Sequence, residues 1–146
     1  MRIVNNTIVS TAIGADASVI ADVFNKNVII DNNIIVAAGD EAAILCNPVY
    51  QDGPPVVEFN DAFSPQGVSY GDSCSGFGRA NGNISANPLF VKKTNFRLQS
   101  GSPAINTGTT AARDIPSKDF AGKPRFVDGT GEKWERMSLV NVYLLT

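Results

Sequence analysis

The 146-residue sequence contains no histidine. That absence removes imidazole acid–base chemistry, histidine-dependent triads and histidine-ligated metals together. Charge is scarce too: Asp, Glu, Lys and Arg make up 18% of the chain, the formal net charge is −2, and no basic run occurs. Nothing therefore steers the chain to nucleic acid or to an anionic membrane surface. No apolar segment approaches the roughly 18 residues that span a bilayer, so membrane insertion is not expected. No secretory leader is read either, because Met1-Arg2 runs directly into the first patterned stretch.

Apolar residues account for 43% of the chain, alongside 13 Gly, 8 Pro and many Asn. This composition suits a single turn-rich, β-rich domain rather than a disordered one. One pattern organises it. Ile3-Val4-Asn5-Asn6-Thr7-Ile8-Val9 returns as Ile30-Asp31-Asn32-Asn33-Ile34-Ile35-Val36. It returns more weakly as Val57 to Phe63 and as Ile84 to Phe90. Asn6, Asn33, Asn60 and Asn87 thereby recur at a constant interval of 27.

Fixed-period self-similarity marks a solenoid, and a period in the twenties rich in β-branched residues suits one turn of a parallel β-helix. Stacked turns lie about 4.8 Å apart. Equivalent asparagines can then form a ladder, each amide bonding the next, while tolerating the left-handed backbone of a tight corner. The expected fold is all-β, a short solenoid of three to four coils over residues 1–83. The second coil closes at Pro48 and Gly53-Pro54-Pro55. The Gly- and Ser-rich stretch from Ser64 to Asn83 reads as a long surface loop. The first coil starts without a distinct capping unit, which reads as the C-terminal piece of a longer solenoid.

The cysteines, Cys46 and Cys74, are nearly one period apart. Adjacent coils would bring them within disulfide range, but parallel side-chain vectors suit a disulfide poorly. A bond and two buried thiols both stay open, with thiols the plainer expectation.

From Asn83 the motifs change: Asn83-Ile84-Ser85-Ala86-Asn87-Pro88-Leu89-Phe90, then Arg97-Leu98, Gly101-Ser102-Pro103-Ala104-Ile105-Asn106-Thr107-Gly108, and Asp119-Phe120-Ala121-Gly122-Lys123-Pro124-Arg125. Over residues 1–131 the chain resembles the C-terminal end of bacterial right-handed parallel β-helix repeat proteins of the pectin-lyase-like superfamily. In that family N-I-S-x-D-P-L-F precedes R-L, G-S-P-A-I-x-x-G, D-x-x-G-x-P-R and a closing G-A-Y-E. Asn87 stands where the family carries Asp. The resemblance implies a right-handed β-helix with a loop-rich C-terminal module over 84–131 packed on the solenoid. It also implies an extracellular or cell-surface parent associated with polysaccharide or oligosaccharide, and it supports fold far more than function.

Residues 132–146 depart from the family. Trp134-Glu135-Arg136-Met137-Ser138-Leu139 can be encoded TGG GAG CGT ATG AGT TTG, and another frame of the same bases reads GGA GCG TAT GAG TTT, which is Gly-Ala-Tyr-Glu-Phe. The tail is therefore read as frame-shifted. Its β-prone run Leu139 to Leu145 is able to pair with an open edge or another chain, and open coil ends offer a second route to a homo-oligomer.

Enzymes of this fold present carboxylates from successive strands along one groove, and glycoside hydrolysis requires two of them about 5–10 Å apart. The acidic candidates are Asp16, Asp22, Asp31, Asp40, Glu41, Glu58, Asp61 and Asp72; Asp31 and Glu58 share a repeat register and Asp40-Glu41 forms a second acidic pair at a turn, so these four are the foremost catalytic candidates. A solvated turn or outward-facing carboxylate is the plainer account of each. Tyr50, Tyr70 and Phe77 are candidates for stacking on sugar rings; Trp134 is set aside with the tail. No metal ligand set is assigned, although Asp114, Asp119 and Asp128-Gly129-Thr130-Gly131 are oxygen-rich enough for Ca²⁺; Asp-Gly turns explain them without an ion. Three functions are weighed: a polysaccharide-binding or -processing fragment, a self-associating structural or adhesion module, and a glycoside hydrolase or polysaccharide lyase.

Overall fold

The computed structural model describes residues 1–21, 28–48, 53–112, 115–119, 122–124 and 142–143. Nine short strands run in order: β1 (Arg2–Val4), β2 (Thr7–Val9), β3 (Ala17–Ala21), β4 (Ile29–Asp31), β5 (Ile34–Val36), β6 (Ala42–Cys46), β7 (Val56–Glu58), β8 (Asp61–Phe63) and β9 (Tyr70–Asp72). They form three parallel sheets, β1-β4-β7, β2-β5-β8 and β3-β6-β9. The chain visits these sheets in the same order three times, so the described fold is all-β and built from parallel stacks. Register follows the repeat: Ile3 pairs with Ile30 and Ile30 with Val57, while Ile8 pairs with Ile35 and Ile35 with Ala62.

The strands are short because a left-handed residue interrupts each repeat. Asn5, Asn32 and Phe59 adopt φ of 61°, 58° and 51° and turn the chain from one sheet into the next. Asparagine tolerates this conformation; at Phe59 it costs about 1–2 kcal/mol. The following residue starts the ladder. Asn6 donates its backbone N–H to Oδ1 of Asn33 at 2.9 Å, and Asn33 does the same to Asn60 at 3.0 Å. The third rung runs from Asn60 to Asn83, not to Asn87. Asn87 is exposed, and its side chain accepts the N–H of Leu89 in a local turn.

Alternation decides the core. Ile30, Val57, Ile35, Ala62, Val19, Ile44, Cys46 and Tyr70 face inward into one buried cluster, with Ile3 and Ile8 packed against it. Burying each large side chain contributes about 1.5–3 kcal/mol. On the outer face of β2-β5-β8, Ile34 is sealed by Ala104, Val36, Phe90 and Leu98. Phe90 and Leu98 belong to an antiparallel hairpin, β10 (Phe90–Lys92) and β11 (Asn95–Leu98), braced by an edge-to-face contact between Phe90 and Phe96. A last short strand, β12 (Val142–Tyr143), pairs in parallel with β2 on the edge opposite β5.

Two expectations are corrected here. Ser64 to Asn83 is not simply a loop: it supplies β9 and a 3-10 turn at Ser75–Arg79. Its glycines conceal the strand because they are there for close packing; a Cβ on Gly71 would press on the Leu45 side chain at 2.8 Å. Cys46 and Cys74 form a disulfide with a Cα separation of 5.3 Å. The objection from parallel side-chain vectors fails because Cys46 lies in register with Asp72, leaving Cys74 in the turn beyond β9, where its side chain is free to point back.

Candidate functional site

The outer face of β1-β4-β7 is where acidic chemistry gathers. In-register pairing aligns Val4, Asp31 and Glu58 in one row and Arg2, Ile29 and Val56 in another. Because Ile30 and Val57 point into the core, their neighbours on both sides point out. A segment of the C-terminal region then folds over this face. The Asn32 side chain, turned outward at the corner, donates from Nδ2 to the Thr109 carbonyl at 2.7 Å and accepts the Thr109 N–H on Oδ1 at 2.8 Å. The result is a cleft of about 610 Å³ lined by Arg2, Asp31, Glu58, Phe59, Thr109 and Ala111, among others.

Within it Asp31 is only 9% exposed, and its Oδ1 has no hydrogen-bond partner among the described residues. Burial raises its pKa to about 6, and the neighbouring Glu58 charge pushes the same way. A backbone bond from Asn32 and the charge of Arg2 oppose the rise. Glu58 is half-buried. In-register neighbours have Cα atoms about 4.8 Å apart, which sets the two acidic side chains side by side on this face.

The second acidic pair does not join them. Glu41 is buried at a corner, where Oε1 accepts the Ala15 N–H at 2.9 Å and Oε2 accepts the Ser10 hydroxyl at 3.4 Å. Its carboxylate is committed to holding the adjacent repeat's turn, and Asp40 beside it is exposed. Neither lines the cleft.

The proposed stacking residues are drawn inward instead. Tyr70 is 6% exposed, and its hydroxyl donates to the carbonyls of Asn60 and Ile84 at 3.1 Å each. Phe77 packs half-buried against the core. Tyr50 lies outside the described residues, as do Asp114 and Asp128-Gly129-Thr130-Gly131. Asp119 accepts the Lys123 N–H at 2.7 Å as a turn residue. Among the described residues no group of three or more His, Cys, Asp or Glu is arranged to hold a metal.

A second groove of about 860 Å³ is lined by Tyr70, Ser75, Arg79, Ile84, Ser85 and Pro103, among others. It contains no carboxylate, so it offers no acid–base pair. One more of the acidic candidates lies inside the fold rather than in either groove. Asp61 is fully buried, accepts the Ala86 N–H on Oδ1 at 3.1 Å, and has no partner for Oδ2 among the described residues. Burial raises its pKa to about 7. The signal was an acid standing in the register of Thr7 and Ile34. No protein-family model, curated protein or solved structure matches this chain.

Proposed function

We propose that the chain is a segment of a right-handed parallel β-helix of the pectin-lyase-like kind, belonging to a larger secreted or surface protein, and that it holds a polysaccharide or oligosaccharide in the cleft over β1-β4-β7. The observation that carries this reading is Asp31 and Glu58, in register and facing one cleft, with Asp31 keeping its proton to about pH 6. A protonated carboxyl donates a hydrogen bond to a sugar oxygen while an ionised one accepts from a hydroxyl. The same division of roles is what hydrolysis needs: Asp31 as acid to the glycosidic oxygen and Glu58 as the carboxylate at the anomeric carbon. A cleft lined by the acidic side chains of Asp31 and Glu58 disfavours polyuronates, so neutral glycans are the expected ligands.

Binding and reducing-end release are to be measured on soluble neutral oligosaccharides, cellulose, pectin and alginate, with Asp31→Asn and Glu58→Gln as controls. Saturable binding that both substitutions weaken supports the reading. Failure to bind any of these glycans sinks it.

A self-associating structural module is the second reading, and the sheet edges favour it. β1 and β3 are the outer strands of their sheets, while β2 is covered by β12. Exposed edges recruit further strands. Light scattering that shows no growth with concentration would remove this reading.

A further inference from the structure

The wall of the cleft is an uncharged stretch, Thr109-Thr110-Ala111-Ala112, that reaches the sheets from 77 residues along the chain. Asn32, which holds it, is fully buried and sits between Asp31 on β4 and the ladder residue Asn33. Its backbone is already left-handed at φ 58°, so the side chain is presented away from the core without further rearrangement. Thr109 also caps its own segment, its Oγ1 accepting the Ala111 N–H at 3.1 Å, which stiffens the wall.

From this geometry we propose that Asn32 is a positioning residue: its two hydrogen bonds to Thr109 hold residues 109–112 as a fixed wall over Asp31, setting the width of the cleft and keeping water from that carboxyl. The inference rests on the reading that Asp31 and Glu58 are the working pair. Its chemistry follows from what faces Asp31. Glu58 on β7 repels its charge, Arg2 on β1 attracts it, Met1 lines the same cleft, and residues 109–112 bring no charge of their own. Of the influences that keep Asp31 protonated, removal from water is the largest. Among the described residues the wall, held by Asn32 next to Asp31 in sequence, covers the cleft from the C-terminal side. With the wall released, water reaches Asp31 from that side, its removal from water is reduced, and Arg2 favours the ionised form.

The test is a carbon-detected NMR titration of the Asp31 carboxyl in the full chain. Asn32→Gly keeps the left-handed corner and removes the carboxamide. Thr109→Pro leaves Asn32 untouched and removes the N–H it accepts. Asp61, buried beneath a different part of the C-terminal region, serves as an internal measure of the fold. The expected result is a fall of one pH unit or more in the Asp31 midpoint in both variants, with Asp61 still titrating near 7. An unmoved Asp31 midpoint overturns the proposal. So does loss of the elevated Asp61 midpoint in both variants, since the contact would then support the whole fold rather than position one carboxyl. No sugar enters this measurement, so its failure is distinct from a failure of glycan binding.

Discussion

Asn60 donates from Nδ2 to Oδ1 of Asn83 at 3.1 Å, across 23 residues where the two earlier rungs each span 27. Asn83 occupies the ladder fully: its own Nδ2 reaches the Val57 carbonyl at 2.7 Å, as Asn60 reaches Ile30 and Asn33 reaches Ile3. The third repeat closes early because Asn81 and Gly82 take left-handed φ of 53° and 73° in a tight turn, with Gly82 pressed against the Phe59 ring.

The first prediction follows from that turn. Asn83→Ala strips partners from the Asn60 amide and from the Val57 carbonyl, and leaving buried polar groups unpaired costs about 1–3 kcal/mol each. A loss of roughly 3 kcal/mol or more is expected in urea denaturation. Asn87→Ala, at an exposed turn, should change stability by under about 0.5 kcal/mol. Equal effects at the two positions would contradict the observed ladder.

Replacing both Cys46 and Cys74 with alanine opens a loop spanning a sequence separation of 28. Loop-closure entropy puts the loss at about 3.5 kcal/mol. At 2–4 °C per kcal/mol for a domain of this size, the melting temperature should fall by roughly 7–14 °C. Reducing agent should reproduce the shift in the parent chain and leave the double variant unaffected.

Asp61 makes stability depend on pH in a definite direction. Its pKa rises from 3.8 to about 7 on burial, so the folded state binds the proton more tightly than the unfolded chain. The stabilisation is complete below pH 4 and is lost as pH rises to about 7. Asp31 contributes with the same sign over the narrower span from 3.8 to about 6. Asp61→Asn should therefore be nearly neutral at pH 4 and stabilising at pH 8. One decade of proton affinity is about 1.4 kcal/mol and the shift spans about three decades, so the gain at pH 8 should be roughly 4 kcal/mol. A variant whose melting curve tracks the parent at both pH values would show Asp61 to be ionised without cost.

The acidic pair at the corner should split sharply. Glu41→Ala removes the acceptor for the Ala15 N–H and the Ser10 hydroxyl and should cost about 2 kcal/mol. Asp40→Ala, on the exposed neighbour, should be silent in the same thermal melt.

What could be read along the chain were the features that stacking repeats locally. A strand that lies on its predecessor must carry matching residues at matching intervals, so Ile3, Ile30 and Val57, the paired carboxylates Asp31 and Glu58, and the first three ladder asparagines all announced themselves. Cross-strand register is a property of period, and period is visible in one dimension. β9 is hidden for the opposite reason: Gly71 at its centre is small because Leu45 needs the space, and a three-residue strand built around a glycine carries no apolar signature.

The 27-residue rhythm determined by itself the strands and corners around the first three ladder asparagines and the inward-facing Ile3, Ile30 and Val57, because these depend on neighbours one repeat away. Tertiary structure alone decided which carboxyl is buried, which asparagine ends the ladder and how Cys74 meets Cys46. Those outcomes depend on turn lengths and on a segment returning from 77 residues along the chain to lie over Asp31. Burial by a distant segment sets a group's hydration, and hydration sets its charge; no periodicity in the sequence carries that information.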